Sequence, residues 1–136
     1  MAKSPELLVT LEINGSNEKR MEAFELYQRA FNARKISGDL PPDDVPPESL
    51  LPDEIEVHIL MEINGYQFGI FPGEGYNSRG NICCQFEYDN EDDLRKAYDA
   101  LSKEASMHSI STPFWCKCHA GVTDKYGFHW SLCVPD

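Results

Sequence analysis

The order of predicted secondary-structure elements repeats along this 136-residue chain, and the repeat limits the folds available to it. Residues 7–72 are predicted to form a strand, a helix and three more strands, and residues 81–134 follow the same order. Each strand is indicated by a short run of β-branched and aromatic residues, and each helix by apolar residues three or four positions apart. The sequence therefore predicts a single α+β domain over 1–136, made of two βαβββ modules.

Local signals support several of these elements. Asn64-Gly65 separates the apolar runs 55–63 and 66–71, which is a strong signal for a β-hairpin. A first helix is indicated by apolar residues on one face, namely Met21, Phe24, Tyr27 and Phe31. A second helix over 89–105 is indicated in the same way by Leu94, Ala97, Tyr98 and Leu101.

The segment 38–54 interrupts the first module and holds five of the nine prolines of the chain. Proline cannot donate a ladder hydrogen bond and restricts the residue before it, so this segment is predicted to be a loop. A long loop inside a compact domain is either a solvated insertion or a functional element, such as a flap over a ligand site. Its acidic residues leave a third interpretation open, in which it binds another protein.

Charge and composition exclude several classes of function. The net charge is −11, from 23 acidic and 12 basic residues. We therefore expect no binding to nucleic acid or to anionic membranes, because both need a basic surface. The sequence has no apolar run of about 20 residues and no signal-peptide pattern at MAKSPELL, so we expect a cytoplasmic protein. In that compartment the five cysteines are expected to be reduced thiols.

The stretch FWCKCHAGVTDKYGFHWSLC, residues 114–133, raises the question of a metal or redox site. It is predicted to form two strands around a turn at 123–127. In the first strand one face carries Phe114, Cys116, Cys118, Ala120 and Val122, and the other carries Trp115, Lys117 and His119. Cysteine and histidine therefore cannot converge on one zinc ion, and no helix starts here to activate a dithiol. We expect the cysteines to act as small buried apolar residues.

The second strand of this pair separates large residues from small ones. Its bulky set is expected to pack on the helices and contains Phe128, Trp130, Leu132 and Val134. The smaller set, His129, Ser131 and Cys133, is expected to face a cavity. Gln85, on a facing strand, is expected to join it, with the loop 38–54 near the mouth of the pocket.

The same stretch resembles the C-terminal signature of the PhnB-like branch of the vicinal oxygen chelate (glyoxalase/bleomycin-resistance/dioxygenase) superfamily. The matching segments are Phe114-Trp115, Val122 to Gly127 (VTDKYG), and Trp130. AFELYQRAF (23–31) after an Asn-Gly turn, and His58 before ILMEING, are similar to other parts of that pattern. The resemblance implies that the two modules form a half-barrel sheet backed by helices, and that subunits pair as a homodimer.

In this superfamily a divalent metal often sits in the cup of the sheet, held by His, Gln and Glu. Carried over to this chain, the ligand positions fall at Val9 or Thr10, Phe71-Pro72, Cys83 and Ser131. None of these is His, Asp or Glu, and one soft ligand does not hold a catalytic ion. We therefore expect no metal and no other cofactor.

The resemblance and the residue pattern together predict a PhnB-like glyoxalase-fold protein, of undefined activity, that binds a small molecule in the cupped sheet. The candidate ligand-binding residues are His58, Gln85, Trp115, His129 and Ser131. Two alternatives stay open. One is a metal-dependent isomerase, lyase or dioxygenase-type enzyme with displaced ligands, and the other is a protein-interaction module.

Overall fold

The computed structural model describes residues 5–38, 57–72 and 82–136. The first module contains β1 (Val9–Glu12), α1 (Asn17–Phe31), β2 (Arg34–Ser37), β3 (Ile59–Ile63) and β4 (Tyr66–Phe71). The second contains β5 (Cys84–Glu87), α2 (Glu91–Ser102), β6 (Met107–Ser111), β7 (Cys118–Thr123) and β8 (His129–Val134). The predicted repeat of two βαβββ modules is confirmed. The predicted loop spans residues 38–54, and from residue 39 onward it lies outside the described residues.

The two four-stranded sheets have the same topology, with strand orders β1-β4-β3-β2 and β5-β8-β7-β6. In each sheet the first strand pairs in parallel with the last, and the other pairs are antiparallel. Each sheet is therefore mixed, and its two outer strands come from the first and third elements of the module.

Backbone contacts divide the chain into two compact units that do not coincide with the two modules. The first unit holds Met1–Glu25 and Ala33–Tyr76, and the second holds Leu26–Asn32 and Asn77–Asp136. The last part of α1 thus belongs to the compact unit that carries the second sheet.

The first unit encloses a buried arginine within an apolar core. The Arg20 guanidinium donates to the backbone carbonyls of Ile13, at 2.8 Å, and Gly15, at 3.2 Å. It also donates to Asn17 Oδ1 at 2.8 Å, and the same oxygen accepts the Val57 backbone N–H at 2.8 Å. These bonds compensate in part for burying the charge and join the start of α1 to the residues before β3.

The second unit is built around Trp130, which is 1% exposed. Its ring centroid lies 5.4 Å from that of Tyr27 and 4.9 Å from that of Phe31, both on α1. It also stacks on Phe86 of β5, at 5.9 Å. The bulky face of β8 therefore packs on helical residues, as its alternation predicted.

Helix α2 covers the same sheet. It begins at Asn90, whose side chain accepts the backbone N–H of Asp93 at 2.8 Å, a standard helix N-cap. Leu94, Ala97 and Leu101 are its buried residues, spaced as one helical face.

The strand predicted to start at Phe114 starts instead at Cys118, so the prediction is wrong for its first four residues. Phe114 is 98% exposed rather than on the buried face. The reason lies in the partner strand: Cys118 pairs with Val134, the last residue of β8, and Pro135 follows. Since proline has no N–H, the ladder cannot extend further, and the chain before Cys118 turns away.

The five cysteines are all unpaired thiols. Cys116, Cys118 and Cys133 are buried, Cys84 is half-buried and Cys83 is exposed. No helix in the described residues is long and apolar enough to cross a membrane.

Candidate ligand-binding site

The face of the second sheet opposite Trp130 carries a row of polar side chains. Strand register decides this, because residues directly opposite each other in neighbouring strands project to the same face. Ser131 of β8 is opposite Gln85 on one side and Gly121 on the other. Two residues before Ser131, and therefore on the same face of β8, His129 is opposite Thr123. We call this surface the open face.

A hydrogen-bonded chain crosses three strands of the open face. The Nε2 atom of His119, on β7, lies 2.9 Å from Ser131 Oγ. Ser131 Oγ donates to Gln85 Oε1, on β5, at 3.0 Å. Since a serine hydroxyl has a single proton, its oxygen must accept from His119 Nε2–H. This fixes the tautomer of neutral His119 and leaves Nδ1 as a hydrogen-bond acceptor.

A second polar pair lies at the other end of β8. Thr123 Oγ1 and His129 Nδ1 are 2.8 Å apart across the β7–β8 ladder. The threonine hydroxyl can donate or accept, so this pair suits either tautomer of the imidazole. One ring nitrogen of His129 is thereby held, and the ring orientation is fixed.

A cavity of about 370 Å³ opens on this face. Its lining consists of Cys83, Met107, His108, Ser109, His119, Gly121, Val122, Thr123, His129, Trp130 and Ser131. Gly121 contributes space, because a Cβ atom built there would meet only Ser109 Oγ, at 4.0 Å. Among the described residues, the lining contains no Asp, Glu, Lys or Arg. The cavity lining is therefore mostly apolar, with a few polar groups and no ionic side chain.

His108 differs from the other two histidines of the lining. Its Nδ1 atom lies 2.7 Å from Tyr98 OH, on α2, and it is opposite Val122, whose side chain is buried. Its ring is thus engaged on the helix side of the sheet. The imidazoles that serve the open face are those of His119 and His129.

Trp115 stands beside this face. Its ring centroid lies 4.9 Å from that of His119, with the rings at 62°. Trp115 is 52% exposed, so most of the indole surface that His119 does not contact is accessible.

Three of the five residues predicted to bind a ligand, Gln85, His129 and Ser131, lie together on the open face. Trp115 adjoins them through His119. His58 belongs to the other compact unit, where it is exposed and its ring lies 5.3 Å from that of Phe71.

The sequence-based selection missed His119 and Thr123. The signal that could have found them is the hairpin register. Pairing Thr123 with His129 across the predicted turn places Gly121 opposite Ser131 and brings His119 into diagonal reach of the serine.

The thiol nearest the cavity is not activated. Although Cys83 is exposed overall, partial desolvation of its thiol raises its pKa above the ordinary value. Burial, and then the neighbouring Cys83, raise the pKa of Cys84 as well. A nucleophilic cysteine needs the opposite shift, toward thiolate, so neither residue has the electrostatics of a catalytic nucleophile.

The described residues do not fit a divalent metal of the kind the sequence resemblance implies. The positions carried over from that resemblance are occupied by Val9 or Thr10, Phe71-Pro72, Cys83 and Ser131. Within the described ranges, no three His, Cys, Asp or Glu side chains converge closely enough to hold an ion.

Comparison by sequence gives no relatives: no protein-family model matches the chain, and no curated protein matches it. Comparison by structure does. A putative 3-demethylubiquinone-9 3-methyltransferase, PhnB protein, from Bacillus cereus has a TM-score of 0.75 and 17% identity, covering 96% of this chain and 99% of its own. A Pseudomonas aeruginosa protein has a TM-score of 0.73 and 18% identity, covering 97% and 98%.

The fosfomycin resistance protein FosX is also similar. FosX from Listeria monocytogenes, complexed with Mn(II) and sulfate, has a TM-score of 0.61 and 16% identity, covering 100% of this chain and 93% of its own. The chain thus has the same fold as these PhnB and FosX structures, with the two βαβββ modules that the sequence predicted. At these identities the likeness defines the fold alone.

Proposed function

We propose that this protein binds a small molecule on the open face of the second sheet, without a divalent metal. The observation that carries the proposal is the hydrogen-bonded chain from His119 through Ser131 to Gln85, beside a cavity of about 370 Å³. A concave site with a few convergent polar groups is the usual form of a small-molecule site.

The volume above Gly121 supports a ligand role over a structural one. Polar side chains that served only to hydrogen-bond to one another would not need open space beside them. Here the glycine leaves room next to Ser109, and the polar chain borders that room. The chain also leaves His119 Nδ1 and the Gln85 amide N–H groups available after its internal bonds are made.

We also propose that the site works without the Mn(II) present in the Listeria FosX structure. A catalytic ion needs at least three protein ligands that converge, and the described residues provide no such set. The metal-dependent enzyme therefore stays the alternative, tested by titrating Mn²⁺ and Zn²⁺ in a calorimeter. Stoichiometric binding lost in Ser131→Ala would contradict the metal-free proposal.

The binding proposal is tested by a thermal-shift screen of neutral, anionic and cationic small molecules. A ligand at about 100 times its dissociation constant adds about 2.7 kcal/mol to the free energy of unfolding. Gly121→Leu fills the cavity without a backbone penalty and should abolish the shift. Lys96→Leu places the same side chain on the exposed surface of α2 and should leave it intact. Equal shifts in Gly121→Leu, or no shift with any compound, would reject the proposal.

We further propose that the protein is a homodimer. β1 and β5 are outer strands, and each follows an exposed apolar residue, Leu7 at 87% and Ile82 at 77% exposure. Outer strands with exposed apolar flanks are usually covered in solution. Sedimentation at micromolar concentration should show twice 15.5 kDa, and Ile82→Lys should shift it toward the monomer. A wild-type monomer would exclude this assembly.

A cytoplasmic location is proposed on the five unpaired thiols. Burial predicts their order of reaction with a thiol reagent in the native protein. Cys83 should react first and Cys84 more slowly, whereas the other three should react only on unfolding. Rapid labelling of four or five thiols would contradict the burial, and a native disulfide would contradict the location.

A further inference from the structure

We infer that the ligand of this site is an uncharged, planar aromatic compound with a primary carboxamide, or an equivalent group that both donates and accepts hydrogen bonds. The inference rests on the proposed binding function and specifies its ligand class. Three features carry it, namely the unused hydrogen-bonding capacity of the polar chain, the absence of ionic lining and an exposed indole.

The polar chain has unused hydrogen-bonding groups at both ends, donors at one end and an acceptor at the other. At one end the Gln85 carbonyl oxygen accepts from Ser131, so its amide N–H groups remain as donors. At the other end His119 donates from Nε2, so Nδ1 remains as an acceptor. A carboxamide offers an oxygen to the donors and an N–H to the acceptor. A carboxylate offers acceptors only, and an amidinium offers donors only.

The charges near the chain favour a neutral ligand as well. The described cavity lining holds no ionic side chain that could pair with a charged ligand. Two residues along β5 from Gln85, and on the same face, Glu87 places a carboxylate that would repel an anion. An anion would lose hydration at the site without gaining an ionic partner, which is unfavourable. For a cation, the Glu87 carboxylate lies outside the cavity lining and is exposed to water, which weakens its attraction.

The aromatic part of the inference comes from Trp115. Its indole meets the His119 ring at 62°, so the two rings are not stacked face to face. The indole is 52% exposed although it is large and apolar. An accessible indole beside hydrogen-bonding groups is suited to stack on a planar ring held by those groups.

The test compares benzamide with three related probes. Binding to the full chain, labelled with ¹⁵N, is followed by NMR. Benzamide is the matched ligand, benzoate and benzamidine keep the ring but carry a charge, and cyclohexanecarboxamide keeps the amide but loses the ring. Benzamide should shift the Trp115 indole N–H signal and the His119 signals in the millimolar range. Each of the other three should bind more weakly by roughly three- to ten-fold.

Variants separate the two parts of the inference. Trp115→Leu should weaken benzamide by roughly three-fold or more and leave cyclohexanecarboxamide unchanged. Gln85→Glu replaces the amide donors with a carboxylate, so it should weaken benzamide and strengthen benzamidine. Gln67→Glu adds the same charge to β4, in the other compact unit, and should change neither.

The outcomes distinguish this inference from the function on which it rests. Benzoate or benzamidine binding as well as benzamide, or Gln85→Glu leaving the probe preference unchanged, overturns the neutral carboxamide. Benzamide binding that Trp115→Leu does not weaken overturns the aromatic platform. A thermal-shift ligand of another class that depends on Gly121, with no response to benzamide, overturns the inference and leaves the binding function standing. If neither the thermal-shift screen nor the NMR probes show binding, both the inference and the proposed binding function are rejected.

Discussion

The two sheets have the same strand order and the same pairing, yet their corresponding faces differ. Thr10 pairs with Gly69 in the first sheet as Gln85 pairs with Ser131 in the second. A Cβ atom on Gly69 would lie 2.8 Å from Cζ of Phe71, so the Phe71 ring covers this position. The second sheet has the serine at this position and a cavity beside it. One face is closed by its own aromatic residue, and the other is open.

The polar side-chain pairs that cross neighbouring strands also differ between the two sheets. On the first sheet Arg34 and Glu62 form an ion pair of 2.8 Å across β2 and β3. On the second sheet the corresponding cross-strand pair is the hydrogen bond between Thr123 and His129, which contains no carboxylate. Cysteine, tryptophan and histidine are also unevenly distributed between the modules. All five cysteines, both tryptophans and three of the four histidines follow residue 82. A shared backbone plan thus carries an open face with polar side chains in one module, whereas the corresponding face of the other carries an aromatic ring and an ion pair.

The hairpin turns of the two modules are stabilised in different ways. The β3–β4 turn uses Asn64 and Gly65 at positive φ, 50° and 87°. The β7–β8 turn uses the buried carboxylate of Asp124. Oδ1 accepts the backbone N–H groups of Tyr126, at 2.9 Å, and Phe128, at 3.1 Å.

The other oxygen of Asp124 reaches into the core of the second unit. Oδ2 accepts Tyr27 OH at 2.6 Å and Trp130 Nε1 at 2.8 Å. One carboxylate therefore joins the turn, the strand that carries the open face and the end of α1. The first module's turn, by contrast, relies on local backbone conformation.

The largest expected effect comes from removing that carboxylate. Asp124→Ala leaves two buried side-chain donors and two turn amides without their acceptor, and should cost about 3–4 kcal/mol of unfolding free energy. Asn64→Ala, which only disfavours a left-handed conformation, should cost about 1 kcal/mol. Urea denaturation measures both. Equal losses would show that the two turns are stabilised alike.

The same contact makes stability depend on alkaline pH. Burial, then the charge of Asp124 and the hydrogen bond to it, raise the pKa of Tyr27 well above its ordinary value of 10.0. The unfolded chain loses this proton near pH 10 while the folded chain keeps it. The stabilisation is thus complete below pH 10 and is lost as pH rises toward the folded pKa.

Tyr27→Phe removes the hydroxyl whose ionisation makes the free energy of unfolding depend on pH. Above pH 10 the wild-type free energy of unfolding should fall more steeply than that of Tyr27→Phe, by about 1.4 kcal/mol per pH unit. Tyr66→Phe alters an exposed tyrosine of the first module and should leave the slope unchanged. Parallel wild-type and Tyr27→Phe curves would mean that Asp124 does not hold this hydroxyl as described.

The sequence predicted the fold far better than it predicted the site. Periodicity and turn signals identified the ten elements that the described residues form, because these signals are local. The partners of Tyr27 and Phe31 lie about 100 residues away, so their helical spacing could show an apolar face but not that it packs in the second unit. His119 was missed for a similar reason, since its bond to Ser131 depends on the register between strands.

The closed and open faces can be compared directly through two glycines. An added Cβ at Gly69 meets the Phe71 ring, which must turn outward, so Gly69→Ala should destabilise by about 1 kcal/mol. The same change at Gly121 meets open space and removes backbone freedom from the unfolded chain, so it should be neutral or stabilise by about 0.5 kcal/mol. Phe71→Ala should abolish the penalty at Gly69 in the double variant. A penalty that persists would show that the ring does not close the first face.

The smallest expected effect tests whether charge, rather than the ring, distinguishes the first face. Arg34 and Glu62 are 66% and 31% exposed, so water screens their attraction and ordering two side chains offsets it. A double-mutant cycle with Arg34→Gln and Glu62→Gln should give a coupling of about 0.5 kcal/mol that falls as salt rises, because exposed charges are screened. A coupling as large as the Gly69 penalty would assign the first sheet's closure to its ion pair. The difference between the faces would then be electrostatic, and replacing Phe71 would not be enough to open the first.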